Sequence, residues 1–243
     1  MGITVEIAVQ DVAGVRIALA EGAGRVELCS ALGMGGLTPS AALVRGAVAL
    51  ARESGRDGFV HVLVRPRGGG FVYDRDELAT ILDDVRFARE AGAGGVVIGA
   101  LTERGRVDVD AVRRIVAEAG PLQVTFHRAL DVVVDPVGAA EELVSSGVTR
   151  VLTSGGAARS IDGVDVLREL SQTFQGRLQV MAGGGVAVDD IPAIAATGVD
   201  AIHLSARDTA QGGPSGPGGG SAGYDITNAA TVREAVAMAA LAR

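Results

Sequence analysis

Two arginines beside a run of glycines form the first group of residues that could do chemistry. The segment reads Arg65-Pro66-Arg67-Gly68-Gly69-Gly70. Guanidinium groups offer paired N–H donors that match the oxygens of a carboxylate or a phosphate. We therefore predict that Arg65 and Arg67 bind a small anion. The alternative interpretation is an exposed loop whose arginines are solvated.

A second group, around His127, combines three side chains suited to proton transfer. The segment Thr125-Phe126-His127-Arg128-Ala129-Leu130-Asp131 places an imidazole, a guanidinium and a carboxylate close together in the chain. Imidazole titrates near neutral pH, so His127 is a candidate general acid or base. We expect Asp131 or Glu27 to orient it. For Arg128 and Asp131 alone, the alternative is a salt bridge at the start of a helix.

Backbone N–H groups form a third group of candidate anion donors. Gly184 and Gly185 follow the seventh predicted strand, and Ser205 ends the eighth. The loops after these two strands are a recurrent phosphate site in barrels, where glycine lets the backbone approach closely. Thr153 and Ser154, after the sixth strand, add hydroxyl and N–H donors at the same edge. The alternative is that the glycines only allow tight turns.

Two sulfur-containing side chains are candidate ligands for a metal. Cys29 and Met181 both fall on strand positions predicted to face the barrel interior. Soft sulfur ligands suit Cu(I). The chain contains no Cys-x-x-Cys motif and no methionine-rich tract, so the alternative is that both residues fill the core.

Short apolar segments alternate with longer amphipathic ones, which predicts eight strands and eight helices in strict alternation. The predicted strands are 3–9, 25–29, 59–65, 95–99, 122–127, 150–154, 178–182 and 200–205. The predicted helices are 11–22, 39–54, 74–92, 108–119, 135–146, 162–174, 188–197 and about 226–242. This order predicts an α/β fold of the TIM (β/α)8 barrel type. An open doubly wound sheet would usually place a glycine-rich phosphate loop after its first strand, and residues 10–14 contain none.

We predict a single domain made of three parts. Residues 1–206 form the barrel core, and residues 225–243 form a C-terminal helix of the same barrel. Between them, residues 207–224 are rich in Gly, Pro and Ser, which is typical of a flexible loop.

Side chains alternate along a strand, so one set faces the helices and the other faces the barrel interior. The apolar set must face the helices, which turns an unusually polar set inward: Glu6, Glu27, Arg65, His127 and His203. A buried charge is costly unless it is paired, hydrated or bound to a ligand. Most of these residues lie toward the carboxyl ends of their strands, where barrel active sites form. A self-contained ion-pair network is the alternative. His61 and Arg25 lie lower and are predicted to be structural.

Composition excludes several classes of function. The 243 residues carry a net charge of −7, contain no Trp and include only 3% aromatic residues. An acidic chain with few aromatic residues is a poor partner for nucleic acid or an anionic membrane surface. One cysteine cannot form an internal disulfide, and no apolar run is long enough to span a membrane. We find no signal-peptide pattern and expect a cytoplasmic location.

The ordered set of motifs resembles the CutC copper homeostasis family. The residues that carry the resemblance are Arg25–Cys29, Gly35–Ser40, Arg65–Gly69 with Phe71 and Tyr73, Val97–Leu101, Thr125–Ala129 with Asp131, Arg150–Gly155, Ala182–Gly185 and His203. They extend from the first strand to about residue 206. The resemblance implies a TIM-type barrel, a cytoplasmic location, a homo-oligomer (dimer or tetramer) and a role in copper handling. Gly70 stands where the family usually has Asp, and Ala8 where it often has Cys.

Two functions follow from these observations. The first is a copper homeostasis protein with a polar ligand pocket, in which Cys29 and Met181 hold copper. The second is a metal-independent enzyme that acts by acid/base chemistry on a small phosphorylated or carboxylated metabolite. Its catalytic residues would be Glu27, His127 and Asp131. Its substrate-binding residues would be Glu6, Arg65, Arg67, Arg128, Thr153, Ser154, Gly184, Gly185, His203 and Ser205.

Overall fold

A computed structural model of the chain describes residues 3–213 and 223–242. Eight parallel strands pair in sequence order, and the eighth pairs with the first to close a barrel. The strands are β1 (Thr4–Val9), β2 (Arg25–Leu28), β3 (Val60–Leu63), β4 (Gly95–Ile98), β5 (Gln123–Phe126), β6 (Arg150–Thr153), β7 (Gln179–Gly183) and β8 (Ala201–Leu204). The predicted TIM barrel is confirmed.

Helices cover the outside of this barrel. Those of the described residues are α1 (Val12–Ala20), α2 (Ala41–Glu53), α3 (Arg75–Ala91), α4 (Val109–Ala119), α5 (Pro136–Ser145), α6 (Val164–Thr173), α7 (Ile191–Ala195) and α8 (Ala229–Leu241). None of these helices combines the length and the apolar character that a membrane crossing needs.

The main apolar core is a ring between the strands and the helices. The strand side chains predicted to face outward are buried in it, among them Ile7, Val9, Val26, Leu28, Val62, Val124, Phe126, Val180 and Ile202. Inside the barrel, by contrast, Glu6, His61 and Arg150 are at most 2% exposed. The barrel interior therefore contains charge at the place where most barrels pack Val, Ile and Leu.

The start of α3 anchors the loop that follows β3. Asp74 accepts hydrogen bonds from the N–H groups of Asp76 and Glu77, and the Glu77 side chain accepts one from the N–H of Asp74. This reciprocal capping satisfies donors that a helix start otherwise leaves unpaired. Glu77 also forms an ion pair with Arg67, so the glycine-rich loop is tied to the helix.

The ends of the stretch predicted as a flexible loop form an antiparallel pair of strands, β9 (Arg207–Gln211) and β10 (Gly223–Thr227). The prediction is therefore wrong at both ends of the stretch, and residues 214–222 lie outside the described residues. The last helix also begins later than predicted. Its N-cap is Asn228, whose side chain accepts a hydrogen bond from the N–H of Thr231.

Gly94, just before β4, is a position where the fold has no room for a side chain. A Cβ atom there would lie 2.0 Å from the carbonyl oxygen of Gly58, which is a backbone atom. We predict that Gly94→Ala lowers the free energy of unfolding by about 1–3 kcal/mol or more, because the backbone must shift. Gly33→Ala is the matched control, since a Cβ at Gly33 meets nothing within 4 Å. Urea denaturation measures both, and equal stabilities would contradict the prediction.

Candidate functional site

Two adjoining cavities open at the carboxyl end of the barrel. The first, the inner pocket, has a volume of about 120 Å³ and is lined by Glu27, Leu63, Arg65, Phe71, His127 and Leu152, among others. The second, the rim pocket, has a volume of about 230 Å³ and includes Gly184, Gly185, Ser205 and Arg207. Glu27, Gly35, Arg128 and His203 line both pockets. The two pockets therefore form one continuous mouth.

A line of four charged side chains runs along the barrel interior to this mouth. The strand register places Glu6 beside Arg25 on β2 and beside His203 on β8. Arg25 forms an ion pair with Glu6 through Nε, and His203 Nδ1 lies 2.8 Å from Glu6 Oε1. His203 Nε2 lies 3.8 Å from Glu27 Oε2. We call Arg25, Glu6, His203 and Glu27 the axial charge line.

The neighbours of Glu6 and of His203 in the axial charge line favour the ionised form of each. Burial opposes ionisation of Glu6, but Arg25 and His203 outweigh it and hold the pKa of that carboxyl well below its usual range. Burial likewise opposes the charged form of His203, yet the carboxylates of Glu27 and Glu6 raise its pKa above the ordinary value. Glu6 is therefore an anion that Arg25 and His203 stabilise.

Glu27, at the outer end of the line, is the group that can exchange a proton near neutral pH. Burial raises its pKa to about 7, with His203 opposing the rise and Glu6 adding to it. Its carboxylate makes no hydrogen bond within the described part of the chain, and it faces both pockets. A carboxyl poised near neutral pH in a cleft is suited to general acid/base work.

His127 lies in the inner pocket as a neutral hydrogen-bond donor. Its Nδ1 accepts a hydrogen bond of 3.0 Å from the N–H of Ala129, so the ring proton is on Nε2. That Nε2 is buried without a partner in the described structure. Burial, together with Arg65, lowers the pKa of His127 to about 3. The prediction that Asp131 or Glu27 orients this ring is therefore wrong, because a backbone N–H does so.

The ring of His127 fits because β4 is followed by a glycine. A Cβ atom on Gly99 would lie 2.1 Å from Cε1 of the imidazole. On another side, Phe71 packs against the ring with centroids 4.9 Å apart. Phe71 lies in the loop after β3 and was not among the predicted site residues, although it belongs to the motif that carried the family resemblance.

Asp131 ties the loop after β6 to Arg128 and takes no part in either pocket. Its carboxylate accepts hydrogen bonds from the hydroxyls of Thr153 and Ser154 and from the N–H of Ser154. It also accepts one of 2.7 Å from Nε of Arg128, so the alternative salt bridge is present. Neither Thr153 nor Ser154 lines a pocket, and their hydroxyl protons are already used within the protein. The structure therefore does not place these three residues where a substrate would contact them.

The two arginines of the loop after β3 have different surroundings. Arg67 pairs with Glu77 and donates to the carbonyl oxygens of Gly70 and Val72, and it lines neither pocket. Arg65 lines the inner pocket, but its Nη1 and Nη2 donate to loop carbonyls. Only its Nε is buried without a partner in the described residues. The prediction of a two-arginine clamp therefore fails for Arg67.

The rim pocket brings together the predicted glycines and a guanidinium. Gly184 has a φ of +125°, and a Cβ there would lie 2.8 Å from Cζ of Arg128. Glycine at this position therefore lets Arg128 lie against the loop after β7. Gly185 and Ser205 line the same pocket, as does Arg207, the first residue of β9. Sequence reasoning missed Arg207, although its position two residues after Ser205 was a usable signal.

The predicted copper ligands do not form a site. Cys29 packs with Leu63 and Val97 in an apolar cluster, and burial, reinforced by Glu27, raises the pKa of its thiol. Met181 belongs to a different cluster, and its sulfur accepts a hydrogen bond from Nη2 of Arg25. Within the described residues, no group of three His, Cys, Asp or Glu side chains is placed to hold a metal. A neutral buried thiol and a distant thioether do not fit Cu(I).

Comparisons with known proteins agree with the fold and with the motifs. The sequence model described as the CutC family matches residues 3–208. A CutC family protein of Bacteroides fragilis is 42% identical over 193 residues, covering 79% of this chain and 75% of its own length. Another, from Photobacterium profundum, is 39% identical over 210 residues, covering 86% and 84%. The crystal structure of CutC from Streptococcus agalactiae, named for copper homeostasis, is 31% identical with a TM-score of 0.78, covering 83% and 97%.

The raised pKa of Glu27 predicts a pH-dependent stability difference for Glu27→Gln. Between the ordinary value of 4.5 and about 7, the folded protein holds a proton on Glu27 that the unfolded chain has lost. Stability due to this group is therefore present below 4.5 and is lost as the pH rises through about 7. The free energy of unfolding of Glu27→Gln, relative to that of the wild type, should rise by about 2–3 kcal/mol from about pH 5 to about pH 8. Denaturant titration at each pH measures this. The exposed control Glu103→Gln should show no such rise. A stability difference between Glu27→Gln and the wild type that does not change with pH would contradict the raised pKa of Glu27.

Cys29→Ser tests the sulfur site directly. Because the thiol is buried and protonated, we predict that the substitution changes the affinity for Cu(I) by less than about twofold, well under 1 kcal/mol. The same holds for Met181→Leu. Competition with a chromophoric Cu(I) chelator measures the affinity. Loss of a stoichiometric Cu(I) ion in either variant, with the fold intact by circular dichroism, would restore the sulfur site.

Proposed function

This chain belongs to the CutC family, and we propose that its mouth binds a small phosphorylated or carboxylated metabolite and performs acid/base chemistry on it. One observation carries the proposal. The Glu27 carboxylate and the Nε2–H of His127 are both buried, neither makes a hydrogen bond within the described residues, and both line the inner pocket. Buried polar groups are costly without a partner, so a bound molecule is the natural partner for the pair.

The proposed reaction is proton transfer beside a carbonyl group. Glu27 in its ionised form removes a proton from the carbon next to the carbonyl, and the C–H electron pair moves into a new C=C bond. The carbonyl oxygen takes up the negative charge, and the Nε2–H of His127 donates a hydrogen bond to it. A neutral imidazole can serve as such a donor in a buried site. Glu27 then returns the proton to a carbon atom of this enolate, where the C=C electron pair forms the new C–H bond and the carbonyl group is restored.

The rest of the mouth supports these two groups. His203, whose Nε2 lies 3.8 Å from Glu27 Oε2, opposes the rise of the Glu27 pKa and so helps to keep the carboxyl available as a base near neutral pH. Arg128 and the glycine loop after β7 hold the anionic end of the metabolite. The Nη1 of Arg128 makes no hydrogen bond within the described residues, which leaves it as a donor. Copper homeostasis, for which the Streptococcus relative is named, would then involve the metabolite and need no Cys29–Met181 centre.

Binding is tested with a thermal-shift panel of small phosphorylated and carboxylated metabolites. A ligand held by the folded state raises Tm according to its concentration relative to Kd. We predict that a compound that stabilises the wild type binds Arg128→Ala at least about tenfold more weakly. Arg106→Ala is the matched control, because Arg106 is exposed and lines neither pocket of the mouth. A panel with no stabilising compound, or equal binding to Arg128→Ala, would overturn the anion site.

Catalysis is tested with a compound identified in that panel, incubated with the protein in D2O. We predict deuterium incorporation next to its carbonyl, observed by NMR, with a rate that rises with pH and levels off above about 7, the pKa of Glu27. Glu27→Gln and His127→Ala should each slow exchange by about 10²–10⁴-fold. Glu103→Gln should exchange like wild type. Exchange that persists in Glu27→Gln would remove Glu27 from the proposed role.

A further inference from the structure

We infer that the amino-terminal end of the barrel carries a second binding site, for a small oxyanion such as phosphate or a carboxylate, built from Arg150, Arg25 and the side-chain amides of Gln123 and Gln179. This site lies at the end of the barrel opposite the mouth. It is separate from the proposed acid/base function and does not depend on it.

The cavity at this end has a volume of about 270 Å³. Its lining includes the first residue of six of the eight barrel strands, which places it at the amino-terminal opening: Thr4, Arg25, Gln123, Arg150, Gln179 and Ala201. A water molecule takes about 30 Å³ of liquid volume, so the cavity has room for an oxyanion together with several waters. The lining is almost entirely polar.

Arg150 supplies a buried positive charge that no carboxylate neutralises. The residue is 2% exposed. Its guanidinium donates to Oε1 of Gln179 at 2.9 Å, to Oε1 of Gln123 at 2.9 Å and to Oγ1 of Thr125 at 3.1 Å, all neutral acceptors. No carboxylate of the described residues lies within 4.0 Å of it. Burying such a charge without a counter-ion is costly, so the site favours a bound anion.

Arg25, unlike Arg150, has a carboxylate partner. Its own charge is balanced by Glu6, and its Nη1 has no acceptor within the described residues. Burial and the neighbouring Arg25 lower the pKa of Arg150 to about 10, with the carboxylates of Glu6 and Asp200 opposing the fall, so Arg150 remains charged at neutral pH. Glu6 forms an ion pair with Arg25, whereas Arg150 has no carboxylate within ion-pair distance among the described residues.

The two glutamine side chains line the cavity and have amide donors that no described residue uses. Because both Oε1 atoms accept from Arg150, the Nε2 groups of Gln123 and Gln179 remain as N–H donors, and neither donates to another described residue. His61 lies on the same lining, is 2% exposed, and has an Nδ1 without a partner. Free N–H donors around a buried cation are the arrangement that an oxyanion needs.

Asp200 is the carboxylate on this lining, and it does not neutralise the positive charge of Arg150. Its Oδ2 accepts a hydrogen bond of 2.8 Å from the N–H of Val180, which fixes it at the edge of the cavity. Asp200 is exposed to solvent, whereas Arg150 is buried. Water screens an exposed charge far more than a buried one, so the field inside the cavity is positive.

Crystals soaked in sodium selenate locate the anion, because selenium scatters anomalously. We expect an anomalous peak between Arg150, Gln123 and Gln179 in crystals of the Arg128→Ala protein, in which the mouth has lost its main anion donor. An empty amino-terminal cavity in well-diffracting crystals would overturn the inference. A peak at the mouth alone, in wild-type crystals, would support the proposed function and also overturn this second site.

A charge substitution tests the site in solution without removing Arg150, whose loss could prevent folding. Gln179→Glu places a carboxylate where the Gln179 amide oxygen accepts from Arg150, so the protein supplies its own counter-ion. In the Arg128→Ala background, we expect phosphate to raise Tm, and Gln179→Glu to weaken this phosphate response at least tenfold in apparent affinity. Gln172→Glu, which adds the same charge on the exposed face of α6, is the matched control. Equal phosphate responses in Gln179→Glu and Gln172→Glu would overturn the site.

Discussion

Glu6 carries its negative charge at a point inside the barrel where its exposure is zero, and the surrounding charges follow from that burial. An isolated carboxylate there would lose its hydration without compensation. The register of β1 against β2 and β8 solves this by placing Arg25 and His203 on either side. Glu6 favours the charged form of His203, which faces Glu27 at the mouth. Burial raises the pKa of Glu27 to about 7, and His203, which Glu6 holds in place, opposes that rise.

The mouth contains two titratable groups that burial shifts in opposite directions. Removal from water disfavours the charged form of each, so the pKa of Glu27 rises and that of His127 falls. Near neutral pH the result is a partly ionised carboxyl beside a neutral imidazole. The directions differ because burial favours the neutral form of each group, which is the protonated form of a carboxyl and the deprotonated form of an imidazole. Among the neighbours, His203 opposes the rise of the Glu27 pKa, whereas Arg65 adds to the fall of the His127 pKa. A base and an uncharged donor are therefore available at the same pH, without a metal ligand set.

Sequence reasoning reached the barrel and the interior acids and histidines because strand alternation has a period of two. Val and Ile on one face of β1 pack against the helices, so Glu6 on the other face must point into the barrel. The same alternation places Glu27 and His203 inside. Strand alternation could not predict the contacts that the loop residues make. Whether Arg67 points to a ligand or to Glu77, and whether Thr153 is free or bound to Asp131, depends on loop backbone that no periodicity describes. Strand parity also turns Cys29 and Met181 inward, but it does not say whether two inward side chains meet.

Glycines at 99 and 184 leave room for His127 and Arg128, as shown by the short distances that a Cβ would create. The positions of His127 and Arg128 therefore depend on the absence of a Cβ atom at these glycines as well as on their own hydrogen bonds. A relative in which either glycine became alanine could keep every acid, imidazole and guanidinium and still present a different cavity. A comparison of relatives that considers only the positions of the reactive side chains would miss this change in the cavity. The glycines that contact those side chains are the better indicator of a shared ligand.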